Sequence, residues 1–149
     1  IEPIIKSVVD DFNNIYKVKR GINISYKNDG KNKYLIYGIE NRIEQIIANL
    51  LDNAISFSDD NKDVIVQVSK SEDNKVYINI LDEGQGFKEK DTNKIFKRFY
   101  SNRPDKFGQH SGLGLNIVKN LVDLHNATIK ATNRQDKKGA SMEIEFPKV

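Results

Sequence analysis

Four short clusters in this chain carry residue types that chemistry can use. In the first, Gln45, Asn49, Asn53 and Ser56 follow helical spacing and, at about 100° per residue, share an arc of about 80°. The arc borders an apolar stripe instead of opposing it. Two asparagines at i and i+4 each cost roughly half a kcal/mol of helix propensity against alanine, with no cap or turn to explain them. Either the line is an ordinary solvated face, or a ligand occupies its amide oxygens. In the second cluster, Asp82-Glu-Gly-Gln-Gly86, a carboxylate at a strand end meets two glycines. Such a carboxylate can accept a hydrogen bond while bare backbone lets a flat ligand approach. It is no dinucleotide fingerprint, because no third glycine follows Gly86 at the needed spacing and no helix opens there. Alone it reads as a turn. The third cluster, Ser111-Gly-Leu-Gly-Leu115, opens a helix whose first free N–H groups can hold phosphate oxygens. The fourth, Gly139-Ala-Ser141, is a turn entering the last strand.

Elements on either side must position these clusters. Ile4, Ile5, Val8, Val9, Phe12, Ile15 and Tyr16 recur at helical intervals from Glu2 to about Lys19, with Gly21 as a stop. Segments 22–26 and 34–37 read as a hairpin around Asn28-Asp29-Gly30, a composition that tolerates positive φ. A long helix from about Ile39 to Phe57 buries Ile43, Ile46, Ile47, Leu50, Leu51, Ala54 and Phe57. The β-branched runs 64–68 and 76–81 form a second hairpin. Residues 84–112 lose periodicity except at Ile95, Phe96, Phe99 and Tyr100, and a loop of that length is usually functional or disordered. A helix from Leu113 to about His125, then strands at 127–132 and 141–146, close the chain.

Composition narrows the classes. With 149 residues, 38% hydrophobic and 30% charged, the chain is one globular domain and too apolar for disorder. There is no cysteine and there are two histidines, which excludes a disulfide framework or thiolate chemistry and leaves little for a zinc site. No apolar run approaches the roughly 18 residues of a membrane span. A net charge of +3 with interleaved signs argues against nucleic acid as a partner.

Taken in order, the clusters resemble the catalytic ATP-binding domain of sensor histidine kinases, within the superfamily shared with type II topoisomerases, Hsp90 chaperones and mismatch-repair ATPases. Residues 45–54 look like the N box, 82–86 the first glycine box, 95–100 the F box, 111–115 the second glycine box, and Gly139-Ala-Ser141 the last glycine motif, with Ser for the common Thr. The resemblance implies an α+β two-layer sandwich: a mixed, mostly antiparallel sheet of about five strands, covered on one face by about three helices, with an ATP lid at 87–112. It implies ATP and Mg²⁺ as cofactors. By it Asp82 accepts the adenine amino group, Asn49 holds Mg²⁺, Asn53 supports the phosphates, and Gln45 orients the acceptor. Nucleotide contacts fall to Ser56, Phe57, Gly84, Gly86, Phe96, Tyr100, Ser111, Gly112, Leu113, Gly114, Leu115 and Ser141.

Three positions depart from that pattern. Ser56 and Ser101 stand where basic residues are common, and His110 where a glycine usually begins the second glycine box. Arg98, Arg103 and Lys106 are the candidates to neutralise phosphate charge, with Arg98 and Arg103 in the catalytic set. The family's phosphoacceptor histidine precedes an acidic residue, whereas His110 and His125 precede Ser111 and Asn126. The resemblance therefore implies a kinase whose acceptor lies on a separate histidine-containing dimerisation domain of the same parent, with a response regulator downstream. The domain itself is expected to be monomeric and the parent homodimeric, with this part cytoplasmic and the parent in the inner membrane. A catalytically weak nucleotide switch and an anti-sigma-type serine kinase are the alternatives.

Overall fold

The computed structural model describes residues 1–30, 33–87, 96 and 113–149. Three helices and five strands follow in the order α1 (Glu2–Arg20), β1 (Asn23–Asn28), α2 (Glu40–Phe57), β2 (Asp63–Lys70), β3 (Val76–Leu81), α3 (Leu113–Leu124), β4 (Thr128–Asn133) and β5 (Ala140–Phe146). The strands form one sheet in the order β1-β2-β3-β5-β4. β1 runs parallel to β2, with Ile24 beside Val64, and the other three pairings are antiparallel. Among the described residues no helix is long and apolar enough to cross a membrane.

Strand alternation decides which face is covered. Val64, Val66 and Val68 of β2, Val76, Ile78 and Ile80 of β3, and Ala140, Met142, Ile144 and Phe146 of β5 are all buried, and each alternates with a half-buried or exposed residue, as period 2 requires. That row meets the apolar side of α2, where Ile43, Ile46, Ile47, Leu50, Leu51, Ala54, Ile55 and Phe57 are buried. α1 adds Ile5, Val8 and Val9, with Ile4, Phe12 and Tyr16 packed beside them. Ile15, expected on the same stripe, is 49% exposed. α3 packs against α2 and inserts Val118 and Val122. The result is the expected two-layer α+β sandwich with a mixed, mostly antiparallel sheet.

The first hairpin is not formed. Residues 34–37 carry no strand, and β1 reaches β2 through α2, a crossover that makes the pair parallel. The outer main-chain groups of β1 are satisfied differently. The Asn13 amide donates to Ile24 O and accepts from Ile24 N, both at 2.8 Å, where a hairpin partner would have bonded. Tyr34 is buried and its hydroxyl donates to Asp29, whose other oxygen accepts Lys70 N. The Asn-Asp-Gly segment thus makes an Asx turn, Gly30 N to Asn28 Oδ1, without returning the chain along β1.

Two further contacts fix α2. It has no basic residue in its last turn, and Arg20 from α1 supplies one, donating to the carbonyls of Ile55 and Ser58. At its start, Ile39 N donates to His125 Nε2 at 3.1 Å, tying α2 to the end of α3.

Candidate functional site

Asp82 follows the last residue of β3 and is 2% exposed. Its Oδ1 accepts the main-chain N–H of Gly84 at 2.9 Å and of Ala140 at 3.0 Å, while its own N–H donates to Ala140 O. Two converging donors fix the carboxylate's rotation. The glycines serve this loop. A Cβ on Gly139, at φ 144°, would lie 2.0 Å from Asp82 O, and one on Gly86, at φ 78°, would lie 2.5 Å from Asn133 Oδ1. Neither position accepts a side chain. Next to Asp82, Glu83 accepts Asp63 N at 2.9 Å and pairs with Lys137 at 3.1 Å. The Asp63 N–H, and after it Lys137, hold its carboxyl below the usual range against the opposing effect of burial.

Gln45, Asn49, Asn53 and Ser56 are all half-buried along α2, bordering its apolar face as their spacing predicts. Asn53 Nδ2 is buried with no hydrogen-bond partner among the described residues, an orphan that costs about 1–3 kcal/mol unless a ligand or water satisfies it. Gln45 Oε1 is in weak contact with Arg42 at 3.4 Å. Phe57 is buried at the helix end. Among the described residues no cluster of three or more His, Cys, Asp or Glu could hold a metal. A cation beside α2 would rest on amide oxygen, a hard ligand suited to Mg²⁺, and on the oxygens of its own substrate.

α3 opens at Leu113. Gly114 is exposed, and a Cβ there would meet no atom of the described residues within 4 Å. Packing among the described residues does not demand this glycine despite its cost in helix propensity. Leu115 is half-buried against the core. Phe96 is 5% exposed in that core, its carbonyl accepting Asn116 Nδ2 at 3.2 Å, so it anchors the chain there. Phe87, expected as the first lid residue, is likewise buried and bonded through its main chain to Asn133. Ile95, Arg98, Phe99, Tyr100, Ser101, Arg103, Lys106, His110, Ser111 and Gly112 lie outside the described residues.

One expected contact is not brought to the others. Ser141 pairs with Leu81 and alternates out of the buried row of β5, onto the sheet face away from the helices. Ala140 takes the place beside Asp82. Asn133 and Arg134, which tie down the Asp82 loop, were not singled out by spacing; the signal was only their position before the turn that ends in Gly139. His125 is 8% exposed, with Nδ1 against Leu121 O at 2.7 Å and Nε2 accepting Ile39 N. Both ring nitrogens are engaged, so this histidine is structural.

The strand that ends at Asp82 and the helix that carries Gly114 in its first turn both pack against α2, which carries the amide line. Residues 38–149 match the model of the histidine kinase-, DNA gyrase B-, and HSP90-like ATPase family. The chain belongs to this family. Within it, the chain is 34% identical over 146 residues to the sensor protein ChvG of Agrobacterium fabrum, covering 93% of this chain and 24% of ChvG. It is 33% identical over 112 residues to the sensor histidine kinase WalK of Bacillus subtilis, covering 72% of this chain and 18% of WalK. The chain therefore spans about a quarter or less of these relatives. Among solved structures, the nucleotide-free catalytic domain of the histidine kinase ThkA superposes with a TM-score of 0.83 at 26% identity, covering 99% of this chain and 92% of that one. An ATPase domain of the histidine kinase branch is thus what this sandwich is similar to over almost its whole length.

Proposed function

We propose that this domain binds Mg·ATP between α2, the Asp82 loop and the start of α3, and passes the γ-phosphoryl to a histidine on a dimerisation domain of its parent protein. The observation that carries the reading is Asp82, buried and held by Gly84 N and Ala140 N. A carboxylate fixed this way can accept the exocyclic amine of adenine. Asn53, whose buried Nδ2 has no partner among the described residues, donates on the phosphate side. The Asn49 amide oxygen would hold Mg²⁺, which would supply charge to offset the phosphates. The first N–H groups of α3, with Gly114 open beside them, cradle phosphate oxygens.

Transfer is then mostly positioning and charge stabilisation. An unprotonated ring nitrogen of the acceptor attacks the γ-phosphorus, an N–P bond forms, the P–O bond to ADP breaks, and the ring's other N–H gives its proton to water. Gln45 orients the acceptor. Ser56 and Ser101 leave charge to be offset, and Arg103, with Arg98 and Lys106, takes that role. A response regulator receives the phosphoryl from the histidine, and the domain works on the cytoplasmic side of a membrane sensor, where ATP is.

The test supplies γ-labelled ATP and Mg²⁺ to the domain with a separately produced histidine dimerisation domain from a related kinase. Acid-labile, base-stable label on the added domain is expected, and none on this chain. Label on His110 or His125, or no transfer by a domain that binds ATP, would overturn it.

A further inference from the structure

The dipeptide Asn133-Arg134 reaches both ends of the loop that starts at Asp82. Asn133, the last residue of β4, accepts Phe87 N at 2.6 Å and donates to Phe87 O at 3.1 Å. Its amide thus acts as a short length of strand against the loop's far end, and Gly86 is bare where that amide packs. Arg134 holds the near end. Its side chain is only 4% exposed. Nη1 donates to Asp82 O at 3.1 Å, while Nε and Nη2 grip the Asp136 carboxylate at 3.0 and 2.9 Å. Its main-chain N–H closes the turn on Gly139 O at 2.9 Å.

We propose that Asn133 and Arg134 are positioning residues that set this site's preference for adenine over guanine. The inference rests on the reading that Asp82 accepts the adenine amine. Guanine presents a carbonyl oxygen where adenine presents that amine, so a carboxylate there attracts one base and repels the other. The repulsion discriminates only if the carboxylate cannot retreat. Gly84 and Ala140 fix how Asp82 rotates, but Gly84 is itself on the loop. The near end is also tied to the sheet by Asp82 N on Ala140 O and by Glu83 on Asp63 N; Arg134 adds a contact at Asp82 O, and the Asn133 pair at Phe87 holds the far end. Loosening either contact lets the loop yield, which weakens adenine binding and relieves the clash with guanine. A group that merely supported the fold would lower stability and leave the ratio of the two affinities alone.

The experiment compares ATP and GTP affinity, by calorimetry on the full chain with Mg²⁺, for the parent sequence, Asn133→Ala, Arg134→Met, Asp136→Asn and Asp82→Asn, beside their melting temperatures. Arg134→Met keeps an unbranched stem beside Gly139. Asp136 is 66% exposed, so Asp136→Asn loosens the guanidinium without emptying buried space and serves if the other two do not fold. Losing neutral or singly charged hydrogen bonds of this kind should narrow the ATP-over-GTP ratio about three- to tenfold in Asn133→Ala and Arg134→Met. In Asp136→Asn it should narrow about twofold. An unchanged ratio in the folded variants, with the preference lost in Asp82→Asn, overturns the proposal and spares the role of Asp82. No ATP preference in the parent, or one that survives Asp82→Asn, overturns the role of Asp82 and this inference with it.

Discussion

Replacing Asp82 by asparagine separates a ligand-reading carboxylate from a turn residue, because the structure fixes which way the amide must face. Oδ1 accepts Gly84 N at 2.9 Å and Ala140 N at 3.0 Å. An asparagine can keep both bonds only by putting its oxygen there, since its NH₂ would meet two donors. The NH₂ then stands where the second carboxylate oxygen stood. Toward the protein the change weakens two charge-assisted bonds into neutral ones, a loss of about 1 kcal/mol. Toward adenine it sets a donor against a donor. A lost hydrogen bond to a charged acceptor is worth about 1.5–3 kcal/mol, so ADP and ATP should bind about 10- to 100-fold more weakly. Calorimetry with ADP, beside thermal melting, reads both effects. An affinity within twofold of the parent, in a protein that melts normally, would show that Asp82 only shapes the turn.

Three further perturbations test other parts of the account. Gly114→Ala fills space that no atom of the described residues claims, so melting should rise by up to about 1 kcal/mol of stability while calorimetry shows weaker ATP binding; unchanged affinity would remove the helix start from the site. His125→Ala leaves Ile39 N without its partner and takes from Leu121 O the side-chain contact while the main-chain N–H of residue 125 remains; it should cost about 1–3 kcal/mol in denaturant unfolding, with a loss under 0.5 kcal/mol contradicting the tie between α2 and α3. Glu83 is held below the usual carboxylate range by Asp63 N and then Lys137, and Asp136 by Arg134. A depressed carboxylate favours the folded state above its unfolded pKa and loses that contribution as pH falls through its folded pKa. Stability should therefore drop below about pH 4, less steeply in Glu83→Gln, and an identical acid limb in that variant would show that the Glu83 contacts carry no linkage.

The elements that bury a periodic face were legible residue by residue. On α2 every apolar residue of the expected stripe is buried, and the amide line runs beside it, because a 3.6-residue period leaves one way to turn such a helix. The hairpin at 22–37 misled for a physical reason. Turn composition at Asn28-Asp29-Gly30 reports local φ, but pairing is decided at long range by α2 as a crossover and by the Asn13 amide on Ile24. In the site, Asp82 and its glycines carry a local signature, a strand end followed by bare backbone. The glycine motif points to Ser141, but strand alternation sends it to the far face. Asn133 and Arg134 lie some fifty residues from the loop they hold, a separation that no local pattern encodes.

The most direct measurement is a calorimetric titration of the folded domain with ATP, with Mg²⁺ and again with the metal chelated. One site per chain is expected, with affinity that falls when Mg²⁺ is removed, since the proposal has Asn49 hold that cation for the phosphates. No heat with ATP and Mg²⁺, from protein shown to be folded by its melting transition, would contradict the central claim.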